Sequence, residues 1–154
     1  MIGAGSLGSA IGGSLAANGN DLVLVTRNRA HVDAINAGGL VMNDGEVTRS
    51  IGVCAATGYD DLPRADLAIV LVKSFDTQAA IEAALPVLGP DSTVLTLQNG
   101  VGCEEIIADL IGRERVVAGR TFIGGRITAP GVVEFGVVGR RTTIGELDGS
   151  MTPR

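Results

Sequence analysis

Short apolar runs alternate with amphipathic segments between residues 6 and 97. The apolar runs consist almost entirely of Val, Leu and Ile, which predicts strands covered on both faces: Leu22–Thr26, Leu67–Val72 and Val94–Leu97. The intervening segments predict helices: Ser6–Ala17, His31–Ala37 and Asp76–Leu88. Strands and helices in this order predict an α/β fold with a doubly wound, mostly parallel sheet.

Two parts of the chain depart from this alternation. Residues 40–53 predict a β-hairpin, in which Leu40–Met42 and Glu46–Val53 flank an Asn43-Asp44-Gly45 turn suited to positive backbone φ. The chain then ends on strand-like segments, namely Val116–Ile127, Val132–Val138 and Thr142–Ile144. We therefore expect a β-rich C-terminal extension on the α/β body.

The composition predicts a single packed domain and disfavours several kinds of partner. The 154 residues include 45% hydrophobic and 19% charged residues, which is enough apolar surface for one packed domain. The net charge of −5 disfavours general nucleic-acid binding. Two cysteines make neither a disulfide framework nor a four-ligand metal site, and no metal site is expected. With neither an 18-residue apolar run nor a signal peptide, we expect a cytoplasmic protein without a membrane partner.

The 23 glycines include a motif near the start of the chain. The sequence Gly3, Ala4, Gly5, Ser6, Leu7, Gly8 fits the pattern G-x-G-x-x-G. Its first glycine allows a tight turn, its second lets a pyrophosphate approach the backbone, and its third lets the helix pack closely. Because a helix and then a strand follow, the motif predicts a Rossmann-type dinucleotide-binding domain.

The first strand of this domain is short in the sequence. Only Met1 and Ile2 precede Gly3, whereas strands usually have about five residues. We therefore expect a truncated first strand, in a chain that begins late.

The end of the second strand predicts which dinucleotide binds. An Asp or Glu there would hold the ribose 2′-hydroxyl of NAD. The sequence has Arg27 instead, and Asp21 lies at the opposite end of the strand. A guanidinium can pair with a 2′-phosphate, and Arg29 could assist. The sequence therefore predicts NADP(H), the alternative being that both arginines are solvated loop charges.

Lys73 and Asn99 each follow an apolar strand. In open α/β sheets, ligands bind at the carboxyl ends of the strands. A lysine there could contact a substrate carboxylate or the cofactor, and an asparagine can both donate to and accept from a carbonyl, a hydroxyl or a ribose. The alternative for both is a surface position at the end of a strand.

Together these motifs resemble the ketopantoate reductases (2-dehydropantoate 2-reductases). The resemblance rests on Gly3–Gly8, Arg27, Val72-Lys73-Ser74 and the Gln98–Gly102 segment (Gln-Asn-Gly-Val-Gly). It continues through Gly119, Pro130–Val133 and Ile144–Glu146, and so covers essentially the whole chain.

The resemblance implies NADPH-dependent reduction of a small 2-keto acid, 2-dehydropantoate, to pantoate on the route to coenzyme A. Gly3–Gly8 would bind the pyrophosphate and Arg27 the 2′-phosphate. Lys73 and Asn99 would lie near the nicotinamide and its ribose and would reach the substrate. Gly125 corresponds to a small residue that touches the cofactor, although Ile123-Gly124-Gly125 departs from the usual pattern.

The chain also departs from this family in length. The family has a second, helical domain that carries a general-acid lysine and a substrate-side glutamate, whereas Lys73 is the only lysine here. We therefore expect residues 1–154 to be the cofactor-binding domain, with no catalytic residue of its own and negligible turnover alone. An apolar surface left by an absent domain would favour a homo-oligomer.

The sequence also fits two other interpretations. The chain could belong to a related 2-keto acid reductase or opine-type dehydrogenase, or be a dinucleotide-binding module without catalysis. His31 is expected to be exposed at the start of a helix, and Cys103 to be structural because no base partner is apparent.

Overall fold

The computed structural model describes residues 1–137 and 141–154. The helices in this part of the chain are α1 (Ser6–Ala17), α2 (Arg29–Gly38), α3 (Thr77–Ala84) and α4 (Cys103–Ile111). The strands are β1 (Val23–Val25), β2 (Leu40–Asn43), β3 (Thr48–Ile51), β4 (Cys54–Ala56), β5 (Ala65–Val70), β6 (Leu88–Thr96), β7 (Val116–Arg120), β8 (Ile123–Ala129), β9 (Val132–Val137) and β10 (Thr143–Glu146). The chain divides into unit 1 (Met1–Gly58 with Phe122–Arg140) and unit 2 (Tyr59–Thr121 with Arg141–Arg154).

Unit 1 contains two sets of paired strands. Strand β1 pairs in parallel with β4, and Ile2 forms a parallel bridge with Val25. A four-stranded sheet has the order β3-β2-β9-β8, in which β2 and β9 are parallel and the other pairs are antiparallel. The β2–β3 hairpin is thus confirmed, and its turn is closed by Asp44 Oδ1, which accepts from Glu46 N and Val47 N at 3.0 and 2.8 Å.

Helix α1 packs closely in the core of unit 1 because its buried face has almost no side chains. Residues 8–13 of this helix are all buried. A Cβ added at Gly12 would overlap Leu24, and one added at Gly13 would overlap Met42. The aliphatic residues around the helix form one cluster, which includes Leu24, Ile35, Leu40 and Val133.

Unit 2 is built on a sheet with the order β10-β7-β6-β5. Strands β5, β6 and β7 are parallel, and β10 pairs antiparallel with β7. Helices α3 and α4 contact each other, and their buried residues include Ile81 and Ile107. The predicted α/β fold with parallel strands and a β-rich ending is confirmed.

Two element predictions were wrong in detail. The helix predicted over Asp76–Leu88 is limited to α3, because Pro86 lies in a separate 3₁₀ turn, Leu85–Val87, and β6 begins at Leu88. The single strand predicted over Val116–Ile127 is divided into β7 and β8, which belong to different sheets. The last residue of the strand predicted over Val132–Val138 lies outside the described residues.

No helix in the described parts of the chain combines the length and the apolar character that crossing a bilayer requires.

Arg115 joins three backbone carbonyls of unit 2. It lies in the 3₁₀ turn Arg113–Arg115, its side chain is half-buried, and its Nε and Nη1 donate to Ser92 O and Ile111 O at 3.1 and 3.2 Å. Its Nη2 donates to Gly89 O. The guanidinium thus holds the end of α4 against the first half of β6.

We expect Arg115→Lys to lower the free energy of unfolding by about 2–4 kcal/mol, because one ammonium cannot serve three separated carbonyls. The exposed Arg113 in the same turn offers the control, since Arg113→Lys should change the free energy of unfolding by less than about 0.5 kcal/mol. Urea denaturation followed by circular dichroism measures both variants. Equal midpoints for the two would contradict this role of Arg115.

Candidate functional site

The glycine-rich segment forms a tight turn between the start of the chain and α1. Gly3 has a φ of +92°, a conformation that favours glycine, and Gly3 N and Ala4 N both donate to Val25 O, at 3.0 and 2.8 Å. A Cβ at Gly8 would overlap the carbonyl oxygen of Gly3. Gly8 therefore lets the helix lie directly against the turn.

Gly5 differs from these two glycines because it faces open space. It is exposed, and a Cβ added there would meet no atom within 4 Å. Helix α1 begins at the next residue, and its first hydrogen bond runs from Ser9 N to Gly5 O at 2.8 Å. The preceding amides have no partner within the helix, and no acidic residue lies in its first turn. The loop therefore offers an accessible, partially positive surface suited to an anion.

His31 lies beneath this loop and is completely buried, so the expectation that it is exposed was wrong. Its Nε2 lies 3.0 Å from Ser9 Oγ, which in turn donates to Ala4 O at 3.2 Å. Its Nδ1 accepts from Gly131 N at 2.9 Å. Burial lowers the pKa of the imidazole below its usual value. The sequence places its partners 22 and 100 residues away, so no local pattern indicated this burial.

Strand β8 passes close to the first turn of α1. Ile127 N donates to Ser6 Oγ at 3.2 Å, and a Cβ on Gly125 would lie 2.8 Å from Ser6 O. The backbone approach explains why a glycine stands at position 125. The structure thus brings Gly125 to the first turn of α1, and its predicted contact with the cofactor stays a prediction.

Arg27 lies just past the carboxyl end of β1, and its side chain is exposed. Asn28 caps α2, since its Oδ1 accepts from His31 N at 3.2 Å. Arg29 is also exposed, with its Nη1 3.8 Å from Asp33 Oδ1. Asp21 precedes the first residue of β1, so the acid and Arg27 are at opposite ends of that strand.

Lys73 and Asn99 are matched positions at the sheet edge of unit 2. Val70 and Thr96 are paired in register at the ends of β5 and β6. Lys73 and Asn99 each follow three residues later, and both side chains are exposed. Their placement beyond the carboxyl ends of neighbouring parallel strands agrees with the sequence prediction, although the strands end earlier than predicted.

Gln98 ties these two strand ends together, and the sequence reasoning did not single it out. Its Nε2 donates to Val72 O at 3.0 Å and to Thr77 Oγ1 at 2.9 Å, while its Oε1 accepts from Thr96 Oγ1 at 3.0 Å. A Cβ on Gly100 would lie 3.2 Å from Ser74 Cβ, so the two loops approach closely. The one feature of the sequence that could have indicated this role is the position of Gln98 directly before Asn99.

Cys103 is buried at the start of α4, where Thr77 Oγ1 donates to its Sγ at 3.8 Å. Glu104 and Glu105 lie in the first turn of that helix, where negative charge is favourable. Two large apolar side chains near the Lys73 and Asn99 positions, Phe75 and Val101, are strongly exposed. Unit 2 therefore presents polar and apolar side chains side by side at this edge.

Comparison with known proteins identifies the family. Residues 1–149 match the profile of the family described as ketopantoate reductase PanE/ApbA. The 2-dehydropantoate 2-reductase of Pyrococcus horikoshii is 40% identical over 135 residues, which cover 88% of this chain and 43% of that protein. The crystal structure of 2-dehydropantoate 2-reductase from Geobacter metallireducens superposes with a TM-score of 0.88 at 29% identity, covering 98% of this chain and 50% of that chain.

A further solved structure is the ternary structure of D-mandelate dehydrogenase with NADH and anilino(oxo)acetate. It gives a TM-score of 0.86 at 26% identity, covering 95% of this chain and 47% of that chain. The chain spans about half the length of the curated relatives it matches. Since the family profile extends over almost all of its residues, the chain belongs to the ketopantoate reductase family.

Proposed function

We propose that this chain is the NADPH-binding part of an enzyme that reduces 2-dehydropantoate to pantoate, a step toward pantothenate and coenzyme A. The observation that carries the proposal is the geometry of the Gly3–Gly8 turn in a chain of the ketopantoate reductase family. The whole protein's activity is inferred from its relatives, which are named 2-dehydropantoate 2-reductases.

The glycine-rich loop fits a dinucleotide pyrophosphate on three counts. Gly3 makes the turn, Gly8 admits the helix, and Gly5 leaves its outer side open. The amides at the start of α1 would donate to phosphate oxygens, and no carboxylate in the first turn would repel them. When bound, the cofactor supplies the hydride that reduces the keto carbon.

Arg27 supports NADPH over NADH. It is exposed at the carboxyl end of β1, where an enzyme selective for NADH would carry a carboxylate for the ribose hydroxyl. Its planar guanidinium would pair with two oxygens of the 2′-phosphate, with Arg29 close by in sequence.

Lys73 and Asn99 would hold the nicotinamide ribose and the 2-keto acid. Both are exposed beyond neighbouring strand ends, and Gln98 fixes the loop between them through Val72 O. The ammonium would bind a carboxylate, and the amide would orient a hydroxyl or carbonyl. The alkoxide formed from the ketone needs a proton donor, and we assign that step to the part of the relatives' length that this chain does not span.

A second candidate function is the reduction of a different 2-keto acid. The structural match to D-mandelate dehydrogenase favours it, because that protein acts on a 2-hydroxy acid and was solved with NADH. The two functions differ in substrate and in cofactor, so both differences can be tested.

Gly5→Ala separates binding from folding. The methyl group meets no protein atom, so we expect the midpoint of thermal unfolding to stay unchanged, while the Kd for NADPH rises about tenfold or more because the phosphates lose their approach to the backbone. Gly58→Ala, at another glycine with open space around it, should change neither quantity. Fluorescence titration and thermal melts measure the two effects. Unaltered NADPH affinity in Gly5→Ala would argue against a pyrophosphate at this loop.

Arg27→Ala tests cofactor choice. Loss of a charge-assisted pair should raise the Kd for NADPH roughly tenfold to a hundredfold and leave the Kd for NADH within about twofold. Arg49→Ala removes the same charge from the exposed β3 of the same unit and serves as the control. Parallel titrations with both dinucleotides decide the question, and equal losses for NADH and NADPH would refute selection by Arg27.

The reaction itself is tested on the full-length protein. We expect NADPH oxidation with 2-dehydropantoate to have a higher kcat/KM than with benzoylformate, the keto acid corresponding to mandelate. A preference for benzoylformate and NADH would instead support the second candidate function. Absence of turnover with both acids, in a protein that binds NADPH, would contradict the reduction of 2-dehydropantoate and that of benzoylformate.

A further inference from the structure

His31 is a titratable side chain that the proposed reaction does not use, although it lies under the cofactor loop. It is completely buried, and each of its ring nitrogens has a hydrogen-bond partner among the described residues. Through Ser9 it reaches Ala4, which stands inside the Gly3–Gly8 motif and is itself completely buried. The chain of contacts thus runs from the β8–β9 turn to the floor of the loop.

The donors and acceptors in this chain fix the state of the ring. Gly131 N can only donate, so Nδ1 must be unprotonated to accept from it at 2.9 Å. The proton of the neutral ring is therefore on Nε2 and is donated to Ser9 Oγ at 3.0 Å. The hydroxyl of Ser9 in turn donates a hydrogen bond to Ala4 O at 3.2 Å. A doubly protonated imidazole would place two N–H groups face to face at Gly131.

We propose that neutral His31 is a positioning residue for the dinucleotide: through Ser9 it holds the Ala4 carbonyl and so keeps the glycine-rich loop in its binding conformation. The inference rests on the proposed function, since it assumes that a dinucleotide occupies the loop. If the loop adopts this conformation for only a fraction of the time, the apparent affinity for the dinucleotide falls in proportion to that fraction.

No charged side chain competes for this ring among the described elements around it. Helix α1 carries no ionisable residue, and neither does the turn at residues 129–131. On α2, Arg29 and Asp33 are exposed and lie near each other. Arg126 of β8 and Glu134 of β9 are also exposed. The hydrogen bonds are thus the specific interactions of the imidazole, and burial opposes its protonation.

This arrangement predicts that dinucleotide binding weakens as the pH falls. Burial lowers the pKa of His31, so the ring is neutral near pH 7 and the network is intact. As the pH falls through that lowered pKa, the ring gains a proton at Nδ1, the bond from Gly131 N is lost, and affinity falls.

Ser9→Ala is the first test, because it cuts the link between His31 and Ala4 in a helix that tolerates alanine well. In the full-length protein we expect the Kd for NADPH to rise roughly threefold to tenfold, the effect of one buried hydrogen bond. Ser14→Ala is the matched control: it removes a hydroxyl of the same helix that donates to Ala10 O, four residues earlier, and should shift the Kd less than about twofold.

The second test is the dependence of the Kd for NADPH on pH, because a merely structural role of His31 would leave that dependence the same in the parent and in His31→Gln. Between about pH 7 and pH 5 the Kd of the parent protein should rise more steeply than that of His31→Gln, which cannot titrate. The His31→Gln profile also contains the titration of the 2′-phosphate, so the difference between the two profiles isolates His31. The double variant with Ser9→Ala should bind no more weakly than the weaker of the two single variants, since both cut one chain of contacts.

The outcomes separate the two proposals. Failure of the parent protein to bind NADPH or NADH would overturn the proposed function and this inference with it. Binding by the parent with the same Kd in Ser9→Ala and Ser14→Ala, or with parallel pH profiles for the parent and His31→Gln, would overturn the inference alone. A selective loss in Ser9→Ala together with the steeper profile of the parent would support it.

Discussion

The close approach of α1 to its surroundings is the constraint on which unit 1 depends. Apart from Ile11, the buried residues of this helix are glycine, serine and alanine. Backbone therefore meets backbone at Gly3 and at Gly125, and meets the side chains of Leu24 and Met42. Larger residues would push the helix away and carry its N-terminal amides with it. The small side chains of α1 therefore allow the core to pack closely and also keep the N-terminal amides of the helix accessible. Part of the glycine content of the sequence has its physical reason here.

Unit 2 achieves a comparable result with hydrogen bonds. Its two loops follow strands that end in register, and the amide of Gln98 spans from one to the other. Each buried side-chain nitrogen and oxygen among the described residues has a hydrogen-bond partner, so the network fixes positions without leaving such an atom unpaired. Lys73 and Asn99 are thus exposed on loops that these hydrogen bonds hold in place. Rigid support with accessible ends is what orientation of a small substrate requires.

Local signals predicted the parts of the fold that depend on neighbours in sequence. The bounds of α1 follow from its glycine turn and the polar residues after it, and the β2–β3 hairpin follows from Asp44-Gly45. Pairing between distant segments gave no such signal. The parallel contact of β2 with β9, the division of Val116–Ile127 and the burial of His31 are all decided by residues far away in the chain. For the site, motif spacing located Lys73 and Asn99, but the roles of Ser9, His31 and Gln98 required three-dimensional contacts.

The bond between His31 and Gly131 also has a consequence for biosynthesis. It joins residues 100 positions apart, and β8 and β9, which flank that turn, complete the sheet that β2 and β3 begin. On the ribosome the early segment cannot complete this sheet until the late strands have been synthesised, because translation proceeds from the N-terminus. Until then the apolar faces of α2 and β2 lack their final cover. A chain that is released or stalled before these strands emerge would expose this apolar surface to other chains, which favours aggregation.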